Sequence, residues 1–254
     1  MTIRICAALA AALLAMPPAA GAAEIKVLVT TAMKTAMDEL AAAFERATPH
    51  KVTVTYGQSG ALAKRIADGE AADLVVFAGG VDELIDRKKI VPAGRTDIAR
   101  AKIGVSVRKG EPKPDIATSG AFRHALLTAK SVAFADPASG GASGVYLVKM
   151  LERLGIAAEV NAKARLARGG PDGMVSAIVA KGDAEIGLQQ ISEIMSVAGV
   201  DLVGPLPDEL QTVTTYVAGI PATASQPDVA VAFVRFLTTP DAAAIYRAKG
   251  LEPG

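Results

Sequence analysis

Cysteine is all but missing from this chain: of 254 residues only Cys6 is one, and it lies inside an N-terminal apolar run. The remainder has no thiol for a disulfide framework, a redox pair or a thiolate metal site. Tryptophan is absent, and the aromatics amount to six Phe and four Tyr. That is too few for a base-stacking surface or a sugar-stacking platform. The two histidines, His50 and His124, stand far apart, and no His/Cys/carboxylate grouping has metal-ligand spacing. Charge of one sign is also lacking, with 27 basic against 26 acidic residues. A balanced chain carries neither the footprint of a nucleic-acid binder nor a polybasic membrane patch. No Gly-x-Ser-x-Gly elbow and no phosphate-binding Lys loop occur, and Gly140-Gly141 lacks the glycine spacing of a dinucleotide fingerprint. Neither a cofactor nor a metal nor a nucleic-acid partner is expected.

Residues 1–23 read as a secretory signal peptide. Arg4 supplies the positive start, Ala7 to Met16 the apolar run, and Ala20-Gly21-Ala22 or Gly21-Ala22-Ala23 the small-residue cleavage site. The run is too short to span a bilayer comfortably, and Cys6 comes too early to be a lipid-attachment cysteine. Without Arg4 the basic and acidic residues balance at 26 each. An exported chain without disulfides fits the periplasm, and about 230 remaining residues suffice for one large domain or two small ones.

After the leader, β-branched runs alternate with helical patterns through most of the chain. Ile25 to Val29 reads as a strand, leading into Met33, Ala36, Met37, Leu40 and Phe44 at helical spacing. Val52 to Tyr56 and Asp73 to Phe77 repeat the unit, each followed by a glycine-bearing turn and a helix. A second unit opens near Lys102, with strands over 103–107, 131–135 and 185–188 and helices after 144 and 173. A strand over 212–218 and helices over 227–237 and 240–248 close the chain. This βαβ rhythm predicts an α/β fold of two lobes, each a mainly parallel sheet flanked by helices, hinged by crossing strands near 98–108 and 211–219. The expected division is 24–100 plus 217–254 for the first lobe and 101–216 for the second.

Four Gly/Ser/Thr-rich turns lead into these helices: Thr30-Thr31-Ala32-Met33, Gln58-Ser59-Gly60-Ala61, Ser139 to Gly144, and Arg168-Gly169-Gly170-Pro171-Asp172-Gly173. A helix N-terminus carries unpaired N–H groups and about half a positive charge, so it receives anions readily. Ser or Thr before one helix is ordinarily only a cap. Four such turns from both halves of the chain point to a clasp around a small anion. Arg87-Lys88-Lys89 reads as a solvated helix end.

Beyond these patterns, several segments carry a family resemblance. Ile25-Lys26-Val27 with Ala36-Met37, Tyr56-Gly57-Gln58-Ser59-Gly60-Ala61-Leu62-Ala63, and Ala71-Ala72-Asp73-Leu74-Val75-Val76 resemble the periplasmic molybdate-binding proteins of ABC transporters. Asp136-Pro137, Gly144-Val145-Tyr146 and Gly182-Asp183-Ala184-Glu185-Ile186-Gly187-Leu188 extend the likeness over essentially the whole chain after the leader. The resemblance implies a two-lobed solute-binding protein, a monomer, whose partners are a small anionic ligand and an ABC transporter permease. It implies an oxyanion held by two serine hydroxyls, a tyrosine hydroxyl and backbone N–H groups. The first serine falls on Ala32, with Thr31 beside it as a substitute, and the second on Ser59 followed by Gly60. Backbone ligands fall at Ser143 and Gly144 and at Asp172 and Gly173. The tyrosine falls on Gln190, with Gln189 competing for the same role.

Two of three hydroxyl ligands therefore differ, and a buried dianion needs its oxygens saturated with donors. Gln190 donates through an amide of different reach from a phenol, and Asp172 repels an anion unless it points away or caps its own helix. A larger carboxylate suits such a site. Aconitate isomerases resemble the same family, so an enzyme acting on a tricarboxylate is the alternative to a receptor. That reading needs carboxylate clamps, for which Arg168, Lys34 and Lys64 are candidates, and a base, for which no residue stands out.

Overall fold

The structure, a computed structural model, describes residues 21–139, 141–168 and 174–254. Most of the expected signal peptide, and with it Cys6, lies outside the described residues. The chain opens as β1 (Glu24–Thr30), α1 (Lys34–Ala47), β2 (Lys51–Gly57), α2 (Ser59–Ala67), β3 (Leu74–Ala78) and α3 (Val81–Asp86). The long strand β4 (Thr96–Arg108) leads to α4 (Ser119–Thr128), β5 (Val132–Ala135), α5 (Ala142–Arg153), α6 (Ala157–Ala162) and β6 (Ala164–Ala167). Next come α7 (Val175–Lys181), β7 (Ile186–Gln190), α8 (Ile191–Met195) and β8 (Val200–Pro205). The chain ends through β9 (Val213–Gly219), α9 (Pro227–Leu237), α10 (Pro240–Ala248) and β10 (Glu252–Pro253).

Alternation along the first strands builds the first lobe. Ile25, Val27 and Val29 of β1 and Leu74 and Val76 of β3 face one side of the sheet, where Met37, Leu40, Phe44, Phe233 and Tyr246 of α1, α9 and α10 cover them. Leu28, Val75 and Phe77 face the other side, against Leu62 of α2 and Leu84 of α3. Both faces are thus buried under crossover helices, as a parallel sheet requires. Phe44 anchors the first side, its ring centroid 4.9 Å from that of Phe233 and 5.6 Å from that of Phe236. In the second lobe Phe134 and Leu188 lie against Phe122, Leu147 and Leu151. Ala133 faces Val175 and Val179 on the opposite side.

The sheet order is β2-β1-β3-β9-β4-β7-β5-β6. β1 pairs β2 and β3 in parallel, and β5 pairs β6 and β7 in parallel, while β9 and β4 run antiparallel to their neighbours. β4 serves both halves. Its residues 96–102 pair with β9, and 103–108 pair with β7 and β8. The backbone thus crosses between sheets inside one continuous strand and returns between β8 and β9, whose residues already pair within the first sheet. The expected strands and helices are present, joined by short elements that periodicity does not reveal: α6, β6, α8, β8 and β10. The strand expected from Asp73 begins at Leu74, because Asp73 turns its carboxylate to backbone N–H groups instead. Among the described residues no single helix is long and apolar enough to cross a membrane.

Candidate ligand-binding site

Parallel strands place their carboxyl ends together, and a cavity lies at those ends in both lobes at once. Thr30, Ala78, Ala135, Ala167 and Gln190, the last residues of β1, β3, β5, β6 and β7, line it, as does Gln58 just after β2. Ligands on open α/β sheets settle in this position, because the helices beyond the strand ends point their N-termini there. Small residues at six of the lining positions, Ala32, Ala78, Ala135, Gly141, Ala142 and Ala167, leave about 550 Å³ of space, counted with its open mouth.

Two full-length helices begin at this cavity. Ser59, the first residue of α2, is buried on the wall, and its Oγ accepts the backbone N–H of Ala78 at 3.0 Å. An oxygen fixed as acceptor on one side keeps its own proton for a ligand on the other. Ser143, the second residue of α5, is likewise buried on the wall across the cavity. Five expected residues, Thr31, Ala32, Ser59, Ser143 and Gln190, therefore line one space.

Several expectations need correction. Thr31 stands on the wall, but its hydroxyl donates to the Gly57 carbonyl at 3.3 Å, so it is engaged within the first lobe. Ala32 offers no hydroxyl, and its carbonyl accepts from Ser192 Oγ at 2.9 Å, joining the two lobes behind the cavity. Gly60 lines a separate depression with Lys64, since α2 turns it away from the site. Gly144 does not line the cavity among the described residues: it lets α5 lie against β5, and a Cβ there would meet the Ala135 carbonyl oxygen at 2.3 Å. Asp172 and Gly173 lie outside the described residues. Arg168 stands in an outer chamber with Lys34, where it is 83% exposed and paired with Asp136 at 3.3 Å. Lys64 is exposed, paired with Asp68 at 2.6 Å, and away from both spaces.

Gln189 and Gln190 both line the cavity, with different chemistry. Gln189 Oε1 accepts from the backbone N–H of Ser176 at 2.7 Å and from Ser176 Oγ at 3.1 Å, tying β7 to α7. Gln190 Nε2 donates to Thr214 Oγ1 at 2.8 Å, and its buried Oε1 has no partner. Exchanging the amide's oxygen and nitrogen satisfies Thr214 equally and turns N–H donors into the cavity.

Two lining residues escape sequence reasoning altogether. Tyr216, on β9, is 1% exposed, and its hydroxyl is the other buried side-chain atom without a partner among the described residues. Burial, and then the nearby Glu193 carboxylate, holds its phenol well above the usual range, so it is a donor at any physiological pH. Glu193, in the first turn of α8, is half-buried on the wall shared by the cavity and the outer chamber. Burial pushes its carboxyl up to about 7, against the opposing pull of the Gln190 backbone N–H. Glu193 comes only three residues after β7, but Tyr216 reaches the same cavity from a strand of the other sheet. No local pattern announces that meeting.

An unpaired buried hydroxyl gives a test of the cavity wall. Tyr216→Phe is expected to leave the ligand-free protein as stable as the parent, or more stable by up to about 1 kcal/mol, because it removes an orphaned polar atom. Urea denaturation checks this. A loss of more than about 1 kcal/mol would mean that the hydroxyl is satisfied in the free protein.

The two-lobed fold that builds this cavity has counterparts among known proteins. The family model described as bacterial extracellular solute-binding protein matches residues 25–252. The chain belongs to that family. A relative from Pseudomonas sp., named aconitate isomerase, is 36% identical to the solute-binding protein over 97% of this chain and 95% of its own length. The molybdate-binding protein ModA of Escherichia coli K12 is 26% identical over 89% of this chain and 88% of its own. The solved periplasmic molybdate-binding protein of Azotobacter vinelandii superposes with a TM-score of 0.75 at 22% identity, covering 89% of this chain and 98% of that one. The two-lobed fold is shared with it. The family is that of bacterial extracellular solute-binding proteins, and two of these similar proteins are named for molybdate binding.

Proposed function

We propose that this solute-binding protein captures a small organic carboxylate between its lobes and hands it to the permease of an ABC importer. It acts as a periplasmic monomer, without metal or cofactor, after loss of the leader 1–23. The observation that carries the reading is Glu193 on the cavity wall. A compact tetrahedral dianion such as molybdate presents an oxygen to every wall, Glu193 included, and needs a donor at each. A carboxylate leaves part of the wall to other contacts. The starts of α2 and α5, Ser59, Tyr216 and the Gln190 amide supply donors, and Lys34 and Arg168 stand in the outer chamber for a further carboxylate. Closure of the lobes, 24–100 plus 217–254 against 101–216, bends the chain where β4 passes between sheets and where β8 leads to β9. Ligand contacts on both sides make the closed form the favoured one.

One observation favours a second reading, an aconitate-isomerase-type enzyme on the same scaffold. Glu193 supplies the base that sequence reasoning lacks, a carboxyl near neutrality inside the ligand cavity. Such a base would take a proton from the CH2 carbon of the tricarboxylate. The electron pair left behind shifts the double bond, and the same proton returns at the far carbon, so nothing is gained or lost. The 36% identical relative named aconitate isomerase supports this reading.

Thermal unfolding with molybdate, tungstate, sulfate, phosphate, citrate and both aconitates separates these cases. A ligand at about 100 times its dissociation constant adds about 2.7 kcal/mol. For a chain of this size that raises the midpoint by about 5–10 °C. The expected result is a rise with tricarboxylates, and a rise with molybdate or tungstate alone overturns the carboxylate reading. Proton NMR of cis-aconitate left with the protein then distinguishes carrier from enzyme by whether the trans isomer accumulates.

A further inference from the structure

Glu193 has no cationic partner within the cavity among the described residues. Its wall faces the starts of α2 and α5, the Tyr216 hydroxyl from β9 and the Gln190 amide from β7, and all of these are neutral groups or partial charges. Lys34, beyond the 3-10 turn Thr31–Met33, points into the outer chamber, where it pairs with Asp38 at 2.7 Å and is half exposed. Arg168, in the same chamber, pairs with Asp136. On the other elements packed against α8 the charges are also engaged or exposed. From β8, Asp201 accepts the Gly110 N–H; from β4, Lys102 pairs with Glu252, Arg108 pairs with Glu111, and Arg100 is exposed. At the C-terminal segment beside α8, Lys249 pairs with Glu39. An anion entering this cavity therefore meets a carboxylate with nothing of opposite charge held between them.

Two negative groups brought together on a partly buried wall repel each other, and the state of lower energy has one of them protonated. We infer that Glu193 is a ligand-binding residue that takes up one proton from solvent as the lobes close on a carboxylate, and that its O–H then donates to a ligand oxygen. The inference rests on the proposed capture of an anion in this cavity and deepens it: the ligand class is a carboxylate that accepts a hydrogen bond from a carboxylic acid. Tyr216 and Ser59 complete the set of uncharged O–H donors around the ligand. The Gln190 backbone N–H favours the ionised form in the free protein, and the entering ligand outweighs it.

Linkage fixes the sign. In the free protein the Glu193 carboxyl titrates at about 7. Above that pH it must be protonated for binding to occur; below it the proton is already present. Affinity is therefore level in acid and falls about tenfold per pH unit above neutrality. Isothermal titration of the full chain with trans-aconitate, cis-aconitate and citrate tests this at about pH 6 and about pH 8, in two buffers of different ionisation enthalpy at each pH. The expected result for the aconitates is close to one proton taken up per ligand at the higher pH and close to none at the lower. Their affinity should be about tenfold weaker at the higher pH. Glu193→Gln keeps a hydrogen-bonding amide at the same helix position, so it is expected to fold like the parent, bind without proton uptake and lose the pH dependence. Proton uptake near zero in the parent at the higher pH overturns the inference while leaving anion capture intact, as does an undiminished tenfold slope in Glu193→Gln. Absence of any binding by the three tricarboxylates at both pH values overturns the carboxylate reading itself and this inference with it.

Discussion

Replacing Asp73 with alanine is expected to lower the unfolding free energy by about 3 kcal/mol, the cost of orphaning several buried donors together. Asp73 is 3% exposed and stands one residue before β3. Its Oδ2 accepts the Lys26 N–H of β1 at 2.9 Å. Its Oδ1 accepts the N–H groups of Ser225 at 2.7 Å and Gln226 at 2.9 Å and the Ser225 hydroxyl at 2.8 Å. One carboxylate thus ties the second and third strands of the first sheet's parallel order to the start of α9. Burial alone would raise its pKa, but the donors from Lys26, Ser225 and Gln226 outweigh that and hold it below the usual carboxylate range. The sign of the pH dependence comes from this depression. The stabilisation is present above about pH 4, where the unfolded carboxyl ionises, and is lost as pH falls through the lower folded value. Urea denaturation of parent and Asp73→Ala should differ by about 3 kcal/mol at neutral pH and converge in acid. A difference under about 1 kcal/mol at neutral pH would show that water replaces the carboxylate without loss.

Gly144→Ala is expected to damage both stability and ligand capture. The added Cβ would lie 2.3 Å from the Ala135 carbonyl oxygen and 3.0 Å from the Ala135 carbonyl carbon, both backbone atoms at the end of β5. No rotamer change relieves such a contact, so α5 must move off the sheet at a cost of about 3 kcal/mol or more. Ser143 moves with it, and the second lobe's helix start leaves the position that faces the anion. Affinity for any carboxylate that binds the parent should fall at least about tenfold, the equivalent of about 1.4 kcal/mol. Gly120→Ala is the matched control, because its Cβ meets only Thr118 Oγ1 at 3.8 Å. In the α4 helix that exchange should be neutral or stabilising by up to about 1 kcal/mol. Gly144→Ala behaving like Gly120→Ala in both denaturation and calorimetry would show that α5 does not rest on β5 as described.

Much of this protein is determined by its sequence alone. Continuous apolar runs over 27–29 and 74–78, set between helical patterns, dictate a sheet covered on both faces, because successive side chains point to opposite sides and each must find an apolar layer. The last two helices keep the limits expected from their termini. Pro240 begins α10, Thr239 Oγ1 accepts the Ala242 N–H at 3.2 Å, and Gly250 comes after it at φ +74°. Ser59 is legible as an anion-facing helix start for the same local reason. What the tertiary structure decided is which residues meet. Gly60 and Gly144 belong to the right turns, but one faces a different depression and the other serves helix-to-strand contact. Glu193 and Tyr216 lie on different elements in sequence, and only the antiparallel β4, shared by both sheets, brings β7 and β9 to one cavity. Local periodicity reports how a segment buries itself. The chemistry of this cavity depends on a charge and a hydroxyl converging from separate segments, and the packing of the two lobes supplies that.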